Sequence, residues 1–291
     1  MSKGVSKLTP KPGRRGRSSV AIFSRRRRSR FALTILSTLL VAVALLLWQA
    51  RVHAPWPPFT FIKGQVPLTI NACAPLGDHK EVSLPDRSTV QLNSGTCVSG
   101  VFTPKLRLLR LETGEGIFQV ARDPNRPFIV ETGRVSIADV GTRFDVYRRD
   151  AVGTRVAVLE GAIQIYPRGS MSRHNGTPLV AGQQIDIPND TGTASLVRHI
   201  TPHDVERMTA WLDGLIQFEG QPLGTILAEF ARYQRITFIT ADPFILSVPM
   251  GGTFRTTDVD SFVGALKLQC IRGKYNETHQ NITLTRITGC R

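Results

Sequence analysis

The stretch RPFIVETGRVSIADVGTRFDVY, residues 126–147, decides the fold. Apolar side chains fall on alternate positions in three short runs: Phe128 and Val130, Val135 and Ile137, Phe144 and Val146. Pro127, Gly133 and Gly141 punctuate those runs. Period-two alternation between turn residues reads as successive β-strands, each burying one face. The same texture continues upstream at Val82/Leu84, Val90/Leu92 and Phe118/Val120, and downstream at Val156/Val158 and Ile163/Ile165. No amphipathic helix interrupts residues 68–187. Strands at roughly 8–12-residue spacing predict a sandwich, roll or solenoid-like stack.

Past a loop at 188–200 the period changes. Thr201-Pro202 is an N-cap followed by an N1 proline, opening a short helix through HDVERMTAW. Ile216 and Phe218 form a strand. Pro222 then starts a helix whose Leu223, Ile226, Leu227 and Phe230 share one face. A strand RITFIT follows. Helical spacing returns at Val259, Phe262, Val263 and Leu266, with Asp258 as cap, and two short strands near 270–275 and 281–287 close the chain. Two echoing helix-plus-strand units make a small α+β module.

Working toward the N-terminus, the charge balance becomes informative. The formal net charge is +15, but most of it sits in residues 1–30, which hold three Lys, eight Arg and no Asp or Glu. FALTILSTLLVAVALLLW, residues 31–48, carries no charged side chain. At about 1.5 Å per residue it spans roughly 27 Å, close to the ~30 Å hydrocarbon thickness of a bilayer. This predicts one transmembrane helix with the basic tail in the cytoplasm and residues 52–291 outside. A cleaved signal peptide would use the same charges, but its apolar region is shorter and Pro55 follows the only small-x-small exit, Val52-His53-Ala54. The tail lacks interleaved aromatics, so no nucleic-acid partner is expected. The chain thus reads as mainly β, with a basic cytoplasmic tail (1–30), a transmembrane helix (31–50), a Pro-rich spacer (51–67), an all-β domain (68–199) and an α+β module (200–291).

Four cysteines, Cys73, Cys97, Cys270 and Cys290, lie on the exported side. There is no Cys-x-x-Cys, so zinc is not expected; disulfides are. Of three possible pairings, the local one, Cys73–Cys97 with Cys270–Cys290, is the expectation. No enzyme signature emerges. Glu112, Glu115 and Glu160 sit beside glycines at strand ends, where turn and ladder roles are commoner than paired-carboxylate hydrolysis. His199 and His203 are separated by a helix start. No cofactor is expected.

Several elements together resemble the FecR family, single-pass bacterial regulators that relay a signal from an outer-membrane TonB-dependent transporter to an extracytoplasmic-function sigma factor. The family's Leu-Pro-Asp-Gly-Ser turn appears as Leu84-Pro85-Asp86-Arg87-Ser88, with arginine in place of glycine. Its Gly-Glu-x-x-Phe-x-Val element is Gly114–Val120, its Pro-Phe-x-Val is Pro127–Val130, its Gly-Thr-x-Phe-x-Val is Gly141–Val146, and its Val-Leu-Glu-Gly is Val158–Gly161. The tail is similar to that family's C-terminal module, itself like the secretin and TonB short N-terminal domain, at Trp211, Gly214, Phe218, Pro222-Leu223, Arg232-Tyr233, Gly252, Phe254 and Phe262. The resemblance implies a single-pass inner-membrane protein with a periplasmic C-terminus. Implied partners are the signalling domain of a TonB-dependent receptor, bound within 201–291, and a sigma factor or a separate cytoplasmic anti-sigma protein. The 30 residues before the predicted span show no apolar period, unlike the family's usual cytoplasmic helical domain. An extracytoplasmic binding or envelope scaffold protein that has lost the relay is the alternative, and an exported hydrolase the third.

The resemblance also singles out Gly141-Thr142. Several FecR-like regulators break their own chain at this element, by an N-to-O acyl shift in which the threonine hydroxyl attacks the glycine carbonyl. On that reading the Gly141–Thr142 bond is a candidate self-cleavage site. The bland reading makes Gly141 a bulge or close-approach glycine and Thr142 an ordinary strand residue.

Overall fold

The structure, a computed structural model, describes residues 67–149, 152–171, 175–190 and 196–290, all within one compact unit, Ile62–Arg291. The predicted tail, membrane span and most of the spacer lie outside the described residues. Among the described residues no helix is long and apolar enough to cross a membrane.

The alternating runs form strands β1 (Leu68–Cys73), β2 (Lys80–Ser83), β3 (Thr89–Leu92), β4 (Cys97–Phe102), β5 (Arg107–Gln119), β6 (Phe128–Thr132), β7 (Val135–Asp139), β8 (Arg143–Arg149), β9 (Gly153–Glu160), β10 (Ala162–Pro167), β11 (Thr177–Val180), β12 (Gln183–Pro188) and β13 (Leu196–His199). They belong to one 13-stranded sheet folded on itself through β5. The first half of β5 pairs with β4 and, in parallel, with β6; the second half pairs with β3 and β8. One layer therefore runs β11-β10-β7-β6-β5-β4-β1 and the other β2-β3-β5-β8-β9-β12-β13. Gly114 makes the corner. Its φ is 86°, and a Cβ there would lie 2.9 Å from the Thr96 Cα.

Alternation explains what fills the space between the layers. Phe118, Phe144, Val146, Val156 and Val158 from one layer meet Phe102, Leu109, Phe128, Val130 and Ile137 from the other in a single buried cluster. The rings of Phe118 and Phe144 stack 5.2 Å apart. Cys73 is bonded to Cys97 across the β1–β4 pair.

The α+β module opens with α1 (Pro202–Thr209), capped by Thr201 in a reciprocal capping box with Asp204. Then come β14 (Leu215–Pro222), α2 (Leu223–Ala231), β15 (Thr237–Thr240), β16 (Pro249–Arg255), α3 (Val259–Ala265), β17 (Ile271–Tyr275) and β18 (Asn281–Arg286). β14 pairs with β16, and β18 lies between β15 and β17. The echo is thus two β-α-β units, β14-α2-β15 and β16-α3-β17. Leu223, Ile226, Leu227 and Phe230 of α2 are all buried, as their spacing requires, and Phe230 stacks on Phe262 of α3 at 4.2 Å. Asp258 caps α3 by accepting from the Ser261 N–H. Cys270 is bonded to Cys290.

Two strands depart from the sequence reading. The expected loop at 188–200 contains β13, an edge strand with all four residues exposed and hence no alternation to betray it. β16 was also unforeseen, because Gly251-Gly252 at its centre erases the β-propensity signal.

The Leu84–Ser88 turn shows what the arginine in the family's glycine position costs. Arg87 sits at φ 71°, a conformation that penalises L-residues by about 1–2 kcal/mol. Arg87→Gly is expected to raise stability by about 0.5–1 kcal/mol, since glycine's larger unfolded-state entropy offsets part of the relief. Urea unfolding of unit 62–291 checks this; a loss of stability would mean that the Arg87 side chain contributes more than its backbone costs.

Candidate functional site

The module does not hang free of the sandwich. It covers the outer face of the layer that contains β8 and β9. Ile117, which points away from the sandwich core, packs instead among Trp211, Leu223, Leu227 and Phe230 of the module. Farther along the same face Ala157 meets Ile200 and Met208.

An ionic hub lies within this junction. Glu115, immediately after the corner glycine, is buried and accepts from Arg155 Nη2 of β9 at 2.5 Å and from Arg232 Nη2, just past α2, at 3.0 Å. Asn93 Nδ2 donates to the same Glu115 carboxylate at 2.7 Å and reaches the Tyr233 hydroxyl at 2.9 Å. Asp145 of β8, fully buried, accepts from Arg155 Nη2 at 3.1 Å. Arg232 also pairs with Glu229 of α2, and its guanidinium lies 4.1 Å from the Tyr147 ring centroid. Ser94 Oγ donates to the Arg232 carbonyl at 2.6 Å.

Burial works against both hub carboxylates, and their surroundings decide the outcome. For Glu115, two guanidiniums and Asn93 outweigh burial and hold the carboxyl below its usual range. For Asp145, burial together with the neighbouring Glu115 charge outweighs Arg155, and its pKa is pushed up to about 7. A second buried pair supports the Leu84–Ser88 turn: Arg107, with no exposed surface, donates to Asp86 at 2.7 Å and to the Ala121 and Arg126 carbonyls.

Gly141 and Thr142 lie just before β8. Asp139 holds both of their amides, its Oδ1 accepting from Gly141 N at 3.0 Å and its Oδ2 from Thr142 N at 3.2 Å. Gly141 has φ 146°, and a Cβ there would meet the Arg122 Cα at 2.9 Å, so this position needs glycine for the fold itself. The Thr142 hydroxyl is buried and has no hydrogen-bond partner.

The other sequence candidates fall apart in space or in chemistry. Glu112 and Glu160 are exposed, one bonded to Ser99 and the other loosely paired with Arg143 at 3.8 Å. Glu115 is a ladder residue as expected, opposite Tyr147 in the β5–β8 pair, and its buried side chain is in addition the centre of the ion-pair hub. No group of three or more His, Cys, Asp or Glu able to hold a metal occurs among the described residues. A cleft of about 440 Å³ opens beside the junction, lined by Arg87, Gln91, Ile117, Gln119, Arg143 and Leu212 among others. Within 201–291, β15 forms one edge of its sheet. Its Ile239 is 46% exposed, and the following turn exposes Phe244 (71%) and Leu246 (39%).

Residues 74–164 match the family model described as FecR protein. None of the curated proteins matches the chain. Among solved structures, the chain is similar to a candidate anti-sigma factor from Parabacteroides distasonis ATCC 8503, known from crystal structures at 2.50 and 1.65 Å resolution. The first is 27% identical over 76% of this chain and 100% of that one; the second is 26% identical over 75% and 100%; each has a TM-score of 0.62.

Proposed function

We propose that this chain, a FecR family protein in its β sandwich, regulates a sigma factor from the far side of the inner membrane, relaying a signal received from a TonB-dependent receptor. The observation that carries the reading is the FecR match over residues 74–164, in a chain whose α+β module leaves the β15 edge of its sheet free for strand addition. The likeness to a candidate anti-sigma factor over more than the sandwich adds support. The basic tail and uncharged segment support that topology, and two disulfides among the described residues suit an oxidising compartment. Sigma-factor control then passes through the span to the sigma factor, directly or by a separate cytoplasmic anti-sigma protein.

The receptor's signalling domain binds at the free edge of β15, where unpaired backbone groups lie beside exposed Ile239 and Phe244. Exposed positions allow a test that leaves the fold alone. Ile239→Lys with Phe244→Lys is expected to weaken capture of the cognate receptor's signalling domain by tenfold or more at unchanged thermal stability. Equal capture by wild type and the double variant would move recognition elsewhere. We further propose that the Gly141–Thr142 bond is the chain's self-cleavage site, its nucleophile the unpartnered Thr142 hydroxyl.

A further inference from the structure

We infer that Asp145 makes the contact between sandwich and module a proton-sensitive latch, closed while its carboxyl carries a proton and loosened when the proton leaves. The charged groups enclosed in the junction do not balance. Arg155 and Arg232 are the two guanidiniums of the hub, and Glu115 and Glu229 are their carboxylates. Those four balance. Asp145 is the third carboxylate, and it has no cation of its own: it shares Arg155 Nη2 with Glu115, at 3.1 Å against 2.5 Å.

The geometry around Asp145 tells the same story. It has no exposed surface, and its Oδ2 is buried with no hydrogen-bond partner. An ionised carboxylate normally draws a donor to each oxygen, and an uncompensated buried charge is among the costliest features a fold can hold. Among the described residues, the neighbouring arginines of β8 on the Asp145 face have carboxylates of their own: Arg143 lies 3.8 Å from Glu160, and Arg149 pairs with Asp186. From β8 itself comes Tyr147, whose ring lies 5.1 Å from Arg155, 4.1 Å from Arg232 and 5.6 Å from Arg149, the last paired with Asp186 of β12. From β5 comes Glu115, from β9 Arg155, from α2 Glu229 and from the turn after α2 Arg232 and Tyr233. Burial and Glu115 together lift the Asp145 carboxyl to about 7, in line with the count.

The direction follows from linkage. With the latch open and Asp145 in water, its carboxyl titrates near its ordinary value of 3.8. Between that value and about 7, opening releases a proton, so opening becomes easier as pH rises and levels off above 7. Glu115 acts in the opposite sense, but only below its ordinary 4.5, so from pH 5 to 7 the Asp145 effect stands alone.

Hydrogen exchange of the full-length protein in detergent micelles reads the latch directly, through peptides covering 226–236 and 112–119. After correction for the intrinsic pH dependence of exchange, the opening constant should rise about tenfold per pH unit from pH 5 to about 6.5 and flatten above 7. Asp145→Asn, which keeps the shape and cannot ionise, should hold opening at one low value throughout. Carbonyl-labelled aspartate NMR of the wild type adds a readout that does not depend on the variant: one aspartate should titrate between pH 6 and 8. A flat wild-type profile, the same slope in Asp145→Asn, or no aspartate titrating above pH 5 would each overturn the latch.

Discussion

Glu115→Ala should destabilise unit 62–291 by about 3–5 kcal/mol, far more than any substitution of an exposed ion pair. Among the described residues, Glu115 is the one carboxylate that touches both Arg155 from the sandwich and Arg232 from the module, 40 and 117 positions away along the chain. Both guanidiniums are mostly enclosed, and removing their shared partner strips each of a buried charge-assisted hydrogen bond; Asp145 reaches only Arg155, so nothing replaces the bond that Arg232 loses. Asn93 loses its acceptor as well. The contrast is Arg110–Glu131, whose arginine is half exposed; Glu131→Ala there should cost less than about 1 kcal/mol. Urea unfolding of the two variants side by side makes the comparison. If Glu115→Ala loses no more than Glu131→Ala, the hub does not hold the junction together.

That hub marks where the sequence stops being legible. Strand alternation such as Phe144/Val146, the Thr201 and Asp258 caps, and the α2 face Leu223/Ile226/Leu227/Phe230 are local patterns, and the structure repeats them residue for residue. Arg155 and Asp145 alternate with buried valines and phenylalanines, so they read as the solvent side of their strands. They are buried because the module covers that side. Adjacent apolar residues gave a hint: Ile117 next to Phe118, and Ala157 between Val156 and Val158, put hydrophobes on both faces of strands that otherwise alternate. Nothing in the spacing announces that Arg232 will meet Glu115, since the pairing depends on how two separately folded sheets come together. The Gly-Glu element was legible as a motif, and its physical content is a corner at Gly114 that delivers Glu115 to the junction.

Thr142→Ala should abolish fragments ending at Gly141 and beginning at Thr142, while Thr142→Ser and Thr142→Cys should retain them. In the reaction proposed, the Thr142 Oγ1 attacks the Gly141 carbonyl carbon, the amide C–N bond breaks, and the nitrogen leaves with a proton as a free amine. Water then opens the resulting ester, giving a Gly141 carboxylate and restoring the threonine hydroxyl. Two features of the site favour the first step. The Thr142 hydroxyl has no hydrogen-bond partner to satisfy, so nothing holds it away from the neighbouring carbonyl. The Asp139 carboxylate accepts from the Gly141 N–H and from the Thr142 N–H of the scissile amide itself, placing negative charge beside the nitrogen that must gain a proton. Gly141→Ala is a poor probe, because a Cβ there collides with the Arg122 backbone and would disturb the fold whether or not the bond is used. Thr142→Val is the better companion: it keeps the shape and the apolar contact beside Gly161 and removes only the nucleophile. Purified unit 62–291 incubated in dilute hydroxylamine, which traps esters, should yield the Gly141 hydroxamate by mass spectrometry. An intact chain after prolonged incubation would leave Gly141 as a close-approach glycine and Thr142 as a buried strand residue, and nothing more.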